Sequence, residues 1–278
     1  MNHINEKRIT AYLSHLTAEE RSPATVEKYA RGVRAFAAWL GGAAATQDAA
    51  AKYKRRLSHT HKASSVNASV AALNAFFAFF KWGIKLKPLK TQRQTFRPKE
   101  MELTRVEYER LLSSAQDIGD ERLNLVLQTI CSAGIRVSEL YMITVEAICS
   151  GVAVITNKGK TRTVFLPEKL QAALLRYTGA RGIDSGSVFV TRSGKPIDRR
   201  QVWADMKKLC EAANVEASKV FPHNLRHLFA RSFYSRYRDI VRLADVLGHS
   251  NVNTTRVYTM ESGAELRRLI DDLELAKD

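Results

Sequence analysis

The 278-residue chain has few of the features that mark secreted or membrane proteins. Its three cysteines are odd in number, widely separated and without metal-ligand spacing, which argues against a disulfide framework and a zinc site; they are Cys131, Cys149 and Cys210. No apolar run approaches the roughly 20 residues of a membrane-spanning helix, and no charged-then-apolar signal segment opens the chain. Repeats and low-complexity segments are also absent. We therefore expect a cytoplasmic protein with reduced thiols.

Acidic residues are scarce relative to basic ones. The chain has 44 Lys and Arg against 28 Asp and Glu, a net charge of +16. Residues 1–100 hold 18 basic and 6 acidic side chains, whereas residues 101–278 hold 26 and 22. Ribosomal and membrane-surface proteins share such a charge, so the balance alone does not identify a partner. The uneven distribution predicts that a polyanionic partner binds the N-terminal third. The charge balance of the remaining residues is closer to that of an ordinary globular enzyme.

The length of the chain allows two domains, and residues that start and end helices indicate how it is divided. Ser22 as N-cap, Pro23 in the first turn and Gly41 as a stop delimit one helix, and further helical patterns over 47–58 and 64–82 make residues 1–84 a helical domain. The aromatics of the last pattern repeat at helical spacing, which predicts a core rather than a base-stacking platform. Residues 85–100, KLKPLKTQRQTFRPKE, are basic and contain two prolines, and we interpret them as a linker.

Residues 101–278 predict a second domain of helices with a little β-structure. Thr104 caps its first helix, and VAVIT and TRTVFLP predict a hairpin around Asn157 to Lys160. A further strand is expected at SVFV, residues 187–190, with helices near 198–212, 223–236, 239–247, 252–258 and 263–273. The predicted fold class is mainly α with a small antiparallel β-sheet (α+β).

Five short motifs in this second domain carry groups suited to attack on a phosphate ester. They supply Arg136 in SAGIRVSEL, a lysine in NKGKTR, His223 with Arg226 in HNLRH, His249 in LGHS and Tyr258 in TTRVYT. A tyrosine hydroxyl with a pKa of about 10 is a weak nucleophile near neutrality and needs help. Two guanidiniums can hold the phosphate on which charge develops, and a positioned acid can protonate the leaving oxygen.

Each motif alone also has a plainer interpretation. Arg136 and Glu139 are spaced as a surface ion pair on a helix, the His-x-x-Arg pair as a solvated helix face, and Tyr258 as a packing residue. Lysines at a hairpin tip are commonly just exposed. The ordered conjunction of all five favours one active site.

The same motifs resemble the tyrosine recombinase family, also called tyrosine integrases, over most of the chain. The family pattern falls on Arg136, Lys158, His223, Arg226, His249 and Tyr258, with the nine-residue interval from His249 to Tyr258 kept. Lys158 is preferred because it precedes Gly159, although NKGKTR also offers Lys160. Asn224, where many relatives carry aspartate, and Leu228, in place of a common threonine, are departures. Type IB topoisomerases share the catalytic core and give the alternative function.

The resemblance implies a site-specific DNA recombinase or integrase. Tyr258 would attack a phosphodiester and leave a 3′-phosphotyrosine, Arg136 and Arg226 would hold the non-bridging oxygens, and Lys158 would protonate the departing 5′ oxygen. His223 would take the tyrosine proton, and His249 would donate a hydrogen bond to the phosphate. No cofactor and no metal ion are implied. The two-domain layout is similar to Xer-type and mobile-element recombinases.

The resemblance also implies a helical core-binding, SAM-like DNA-binding domain and an assembly on double-stranded DNA. Expected phosphate contacts, with a merely solvated charged face as the alternative, are Lys52, Lys54, Arg55, Arg56, Lys62, Arg93 and Arg97. The partners expected are specific double-stranded DNA sites and further copies of the chain in a homotetramer on paired sites. The C-terminal stripe of Leu266, Leu269, Ile270 and Leu273 either packs on its own domain or docks in a neighbouring protomer. The protein is expected in the cytoplasm, nucleoid-associated when bound.

Overall fold

The structure, a computed structural model, describes residues 2–90, 101–157, 159–258 and 263–275. The chain divides into two compact units, Met1–Arg93 and Gln94–Asp278. The described residues are mostly helical and include a two-stranded antiparallel sheet, which confirms the predicted fold class. None of the described helices combines the length and the apolarity needed to cross a membrane. This division does not test the predicted domain boundaries at residues 84 and 100, which remain predictions.

The first unit contains α1 (Glu6–Ala18), α2 (Pro23–Leu40), α3 (Gln47–Thr60) and α4 (Ala63–Phe79). The helix predicted from Ser22 to Gly41 forms as expected, because the Ser22 hydroxyl accepts a hydrogen bond from the Thr25 amide and Gly41 adopts a φ of +58° at the C-cap. These two ends fix the length of α2, whose buried face carries Val33 and Phe36.

Aromatic side chains form the centre of the first unit. Phe36, Phe76 and Phe77 are fully buried, and Tyr12 packs edge-on against Phe76 with ring centroids 5.2 Å apart. Their burial confirms that the phenylalanines of α4 are core residues rather than a platform for bases. Burial of such large apolar surfaces accounts for most of the stability available to a four-helix unit of this size.

Residues 84–90, here called the strap, lie on this unit although most of them fall within the predicted linker. Three side-chain amides each donate one hydrogen bond to the strap backbone and accept another from it, at 2.7 to 3.1 Å: Gln47 with Lys85, Asn74 with Leu86, and Asn67 with Leu89. Each amide imitates one step of a β-ladder, so a segment without regular structure has its backbone polar groups satisfied. The rest of the predicted linker, residues 91–100, lies outside the described residues.

The second unit contains nine of the described α-helices and two 3₁₀ helices. In chain order the α-helices are α5 (Arg105–Asp117), α6 (Glu121–Ala133), α7 (Val145–Ser150), α8 (Glu168–Arg181), α9 (Arg199–Lys208), α10 (Pro222–Tyr237), α11 (Ile240–Leu247), α12 (Val252–Thr255) and α13 (Gly263–Asp271). The 3₁₀ helices are Val137–Met142 and Arg256–Tyr258. Helix α6 is central, because α5, α8, α9 and α10 all pack against it. Its Leu127 and Ile130 are fully buried.

The hairpin forms where the sequence predicts it. Strands β1 (Val152–Asn157) and β2 (Lys160–Phe165) pair antiparallel, with Asn157 opposite Lys160 at the closed end. The prediction of a strand at residues 187–190 is wrong. Within the described residues, Ser187 and Val190 make only isolated β-bridges. Val188 and Phe189 are fully buried, so this apolar run fills the core instead of joining a sheet.

The paired amide contacts of the strap predict residue-specific protection from hydrogen exchange. Replacing Asn74 with Ala removes two hydrogen bonds to Leu86, together about 1–3 kcal/mol, and should accelerate exchange of the Leu86 amide by roughly tenfold or more. The Leu89 amide, held by Asn67, is the internal control and should change less. The reciprocal Asn67→Ala variant should reverse that order, and equal acceleration at both amides in both variants would show that the strap opens as one unit.

Candidate active site

Arg226 is buried at the centre of the site, with 1% of its surface exposed. Its guanidinium donates hydrogen bonds to the carbonyls of Gly134 at 2.6 Å and Leu247 at 2.7 Å, and to Nε2 of His249 at 3.1 Å. Burial first, and then the nearby positive charge of Arg136, lower the pKa of Arg226 to about 10, and contact with the Tyr258 hydroxyl works in the opposite direction. The guanidinium therefore stays charged at neutral pH and has one fixed orientation.

Gly134 and Gly248 allow the backbone to approach this centre. Gly134 has a φ of +63°, and a Cβ there would lie 2.5 Å from the Phe229 ring. Gly248 has a φ of +67°, and a Cβ there would lie 2.5 Å from Cδ of Arg162. Side chains at these two positions would be strained in conformation and would also displace their neighbours. The glycines of the SAGIR and LGHS motifs thus have a structural purpose.

Arg136 is the N-cap of the 3₁₀ helix Val137–Met142 and forms an ion pair with Glu139. Nη1 of Arg136 donates to Oε1 of Glu139 at 2.9 Å, and the Arg136 amide donates to Oε2 at 2.8 Å. The side chain of Glu139 is 1% exposed whereas that of Arg136 is 36% exposed. The alternative that this is a surface ion pair is therefore wrong, and Arg136 presents its free edge to solvent.

The Glu139 carboxylate also accepts hydrogen bonds from two hairpin residues. Arg162 donates Nη1 to Oε1 at 3.1 Å and Nη2 to Oε2 at 2.8 Å, and Nδ2 of Asn157 donates to Oε1 at 3.2 Å. Burial alone would raise the pKa of Glu139, but the hydrogen bonds from Arg162 and Arg136 outweigh it and hold the pKa at about 2. The carboxylate is therefore ionised at neutral pH.

The protonation state of His249 follows from its partners. A guanidinium only donates hydrogen bonds, so Nε2, which contacts Arg226, is an acceptor. Nδ1 then carries the hydrogen and donates it to the Thr255 hydroxyl at 2.9 Å. Burial, together with the charges of Arg226, Arg136 and Arg162, lowers the pKa of His249 to about 4. The ring is therefore neutral near pH 7 and acts as an orienting partner of Arg226.

Tyr258 is 5% exposed and lies against α10 and α11 of its own chain. Its ring stacks on His249, with centroids 5.9 Å apart and planes 13° apart, and meets the His227 ring edge-on at 4.5 Å. His223 lies beyond His227, with those two ring centroids also 4.5 Å apart. Tyr258 also contacts Arg226, and the His227 ring contacts both Tyr258 and His223.

Two cavities meet at Arg136. One has a volume of about 770 Å³, and its lining includes Arg136, Lys160, Arg162 and His249. The other, of about 380 Å³, is lined by residues that include Arg136, Trp203, His223 and Arg226. Both are rich in cationic and hydrogen-bonding groups. Between them, the two linings include groups from four of the quoted motifs.

The predicted catalytic residues divide into two groups. The structure brings together Arg136, His223, Arg226, His249 and Tyr258 in one region of the second unit. Lys158 lies outside the described residues, and Lys160, the alternative acid, lines the larger cavity.

Of the predicted DNA contacts, the four on α3 and Lys62 just after it lie within the described residues. Lys52 pairs with Asp48 at 2.8 Å, Lys54 donates to the Lys87 carbonyl at 2.6 Å, and Arg55, Arg56 and Lys62 are exposed. Arg93 and Arg97 lie outside the described residues.

Sequence reasoning missed several supporting residues: Glu139, Asn157, Arg162, His227 and Thr255. Glu139 had the correct spacing from Arg136, but its burial could not be read from the pattern. The other four lie within quoted motifs: His227 in HNLRH, Asn157 and Arg162 in NKGKTR, and Thr255 in TTRVYT. Nothing in those motifs shows that these side chains contact the site. Among the described residues, no group of three or more histidine, cysteine or acidic side chains is arranged to hold a metal ion.

Comparison with known proteins places this geometry in a family. The profile of the phage integrase family matches residues 102–265, and the SAM-like N-terminal domain of phage integrases matches residues 9–83. The tyrosine recombinase XerA of Thermococcus kodakarensis is 32% identical over 96% of this chain and 95% of its own length. XerD of Xanthomonas campestris pv. campestris is 30% identical over 95% of this chain and 91% of its own.

Solved structures share the fold at lower identity. The XerH site-specific recombinase bound to its difH substrate, in a pre-cleavage complex, aligns with a TM-score of 0.71 and 17% identity, covering 99% of this chain and 85% of that one. The Tn1549 transposon integrase in complex with transposon right-end DNA aligns with a TM-score of 0.74 and 17% identity, covering 97% and 99%. The chain belongs to the phage integrase family and is a tyrosine recombinase, an enzyme that breaks and rejoins DNA strands.

Proposed function

We propose that this tyrosine recombinase cleaves specific sites in double-stranded DNA with Tyr258 of its own chain as the nucleophile. The supporting observation is that Tyr258, Arg226 and His249 are in mutual contact, with Arg136 at the edge of the same cavities. Oη of Tyr258 attacks phosphorus, the bond to the 5′ oxygen breaks, and a 3′-phosphotyrosine remains. Because the ester bond is exchanged and not hydrolysed, a 5′ hydroxyl from another duplex can reverse the step.

The two arginines hold the phosphate in different ways. Arg226 is fixed by two carbonyls and His249, so its charge is preorganised beside Tyr258. Arg136 is half-exposed, with Glu139 on one edge, and its other edge is available to a non-bridging oxygen. Charge that develops on the phosphate is met by donors that need little reorganisation, which is the largest contribution that such a site can make to the rate.

Proton transfers are assigned to His223 and to a hairpin lysine. His223 accepts the tyrosine proton, directly or through His227, whose ring contacts both. Lys158 protonates the departing 5′ oxygen, with Lys160 as the alternative donor. His249 orients Arg226 in the arrangement described, so a hydrogen bond from His249 to the phosphate requires a hydrogen on Nε2, gained on DNA binding.

The cationic first unit supplies contacts to the DNA backbone. Lys54 and Arg55 of α3 face Lys85 and Lys87 of the strap around a cavity of about 360 Å³. Arg56 and Lys62 are exposed nearby in sequence, and we assign them with Lys52, Arg93 and Arg97 to phosphate contacts. Such contacts give affinity that falls steeply with salt and carry no sequence information themselves.

Assembly as a homotetramer on paired DNA sites is the proposed working state. Leu269 and Ile270 of helix α13 and Leu273 just after it are 50%, 59% and 59% exposed, an apolar stripe that the described residues leave uncovered. The side chain of Leu266 lies outside the described residues. This exposure favours docking of α13 in a neighbouring protomer over packing on its own domain.

We infer a cytoplasmic protein, nucleoid-associated when bound. The type IB topoisomerase alternative is not favoured, since the relatives compared are named as recombinases.

Tyr258→Phe should abolish the covalent adduct and leave DNA binding intact, because only the nucleophilic oxygen is removed. The DNA site is first recovered by sequencing fragments trapped covalently on the wild-type protein, and adducts are then measured by denaturing electrophoresis. Tyr234→Phe, the same substitution in the same apolar cluster, is the matched control and should form adducts normally. An adduct that persists in Tyr258→Phe would place the nucleophile elsewhere.

Lys158→Ala should slow cleavage of ordinary DNA by about 10²-fold or more, because the 5′ alkoxide leaves without a proton. A duplex with sulfur at the 5′ bridging position should restore the rate, since a thiolate leaves without protonation. Lys160→Ala is the matched comparison. If only Lys160→Ala is rescued, Lys160 is the acid. If neither variant is rescued, the acid does not come from the hairpin.

Leu269→Glu combined with Leu273→Glu should leave the melting temperature of the free protein unchanged and weaken cooperative assembly on paired sites by about tenfold or more. Sedimentation of the protein with and without site DNA measures both. Leu175→Glu, on α8 and 42% exposed, is the control for adding a charge at an exposed leucine. A large fall in the melting temperature of the free protein would show instead that α13 packs on its own domain.

A further inference from the structure

We propose that Arg162 is a positioning residue for strand cleavage, acting through Glu139 on Arg136 and on the end of the hairpin that carries the acid. Arg162 does not touch the substrate in this assignment. The inference rests on the proposed function of the cavities around Arg136 as the cleavage site. It gives a role to Arg162, the last residue of NKGKTR, to which the sequence analysis assigns none.

The first argument is the geometry of the ion pair. Arg162 lies on β2 opposite Ile155 and directs both Nη atoms at the two oxygens of Glu139, at 3.1 and 2.8 Å. Its side chain is 11% exposed and that of Glu139 is 1% exposed. A two-point contact of this kind fixes the rotation of the carboxylate, and a single ammonium cannot reproduce it.

The second argument is the charge balance at Arg136. Glu139 contacts both Arg136 and Arg162, so the carboxylate neutralises one of two positive charges. Without Arg162 the carboxylate would be left with Arg136 as its counter-ion, and it would compete directly with the DNA phosphate for that guanidinium. Arg162 therefore keeps a net positive charge available at Arg136, whose side chain is the more exposed of the two.

The third argument is that the same contacts fix the closed end of the hairpin. Asn157 donates to Oε1 of Glu139 at 3.2 Å and is the register partner of Lys160, so both candidate acids lie next to a residue held by this carboxylate. The stem of Arg162 also supports the segment before His249, since a Cβ at Gly248 would lie 2.5 Å from Cδ of Arg162. One side chain thus contacts the hairpin, the Arg136 turn and the LGHS segment.

The test compares Arg162→Met with wild type in the full chain, on the DNA site recovered from covalently trapped fragments. Arg162→Met should bind this DNA within about threefold of wild type and form adducts on ordinary duplex about 10²-fold more slowly. On the duplex with 5′ bridging sulfur the defect should shrink at least tenfold, because the misplaced acid is no longer needed. Arg162→Lys, which keeps the charge but loses the fork, should be intermediate on ordinary DNA.

Lys219→Met is the matched control, since it breaks another partly buried ion pair of the second unit, Lys219 with Glu107 at 2.8 Å. It should cleave both duplexes at the wild-type rate. Gly248→Ala presses on the stem of Arg162 from the other side and also strains the backbone beside His249, so its defect should recover with sulfur only in part. This variant carries the test if Arg162→Met does not fold.

Two outcomes would overturn the proposal. One is wild-type cleavage by Arg162→Met, or by both Arg162→Lys and Gly248→Ala where Arg162→Met is unfolded. The other is an equal defect on both duplexes accompanied by lost binding and a lowered melting temperature, which is the signature of a purely structural residue. Failure of the proposed function itself would look different, since the wild-type protein would then form no Tyr258-dependent adduct on any recovered DNA.

Discussion

The buried carboxylate of Glu139 is the interaction on which the site depends. It accepts hydrogen bonds from Arg136, Asn157 and Arg162, so one side chain joins the Arg136 turn to the hairpin. An ionised group with so little exposure is stable only when its partners are all in place, which makes the arrangement cooperative. The position of Arg136 and the position of the hairpin end that carries the proposed acid are therefore not independent of each other.

The two arginines proposed to bind the phosphate differ in how they are held. Arg226 is fully buried and held by carbonyls of Gly134 and Leu247, so its orientation is set before DNA arrives. Arg136 keeps more than a third of its side chain exposed and can adjust to the phosphate. In the proposed mechanism, a rigid donor beside Tyr258 and a more exposed one at the entrance together provide both preorganisation and access.

Sequence patterns predicted much of this architecture where the cause is local. Caps and glycine stops located α2 and α5, and the family motifs identified Arg136, Arg226, His249 and Tyr258 because each stands in a characteristic segment. The patterns failed where the cause is tertiary. The burial of Glu139, the fork from Arg162 and the support from Thr255 all arise between distant segments, and the apolar run at residues 187–190 could not show that it lacks a strand to pair with. Helix α8 was not delimited, although Pro167 before Glu168 is a recognisable start.

The central claim is that Tyr258 and the two arginines act on one phosphate. Its most direct test is a crystal structure with vanadate bound between two DNA fragments that end at the recovered cleavage position. The account predicts Oη of Tyr258 and the 5′ oxygen at opposite apices, with Arg136 and Arg226 donating to equatorial oxygens at about 3 Å. A different side chain at the apex, or equatorial oxygens out of reach of both guanidiniums, would contradict it.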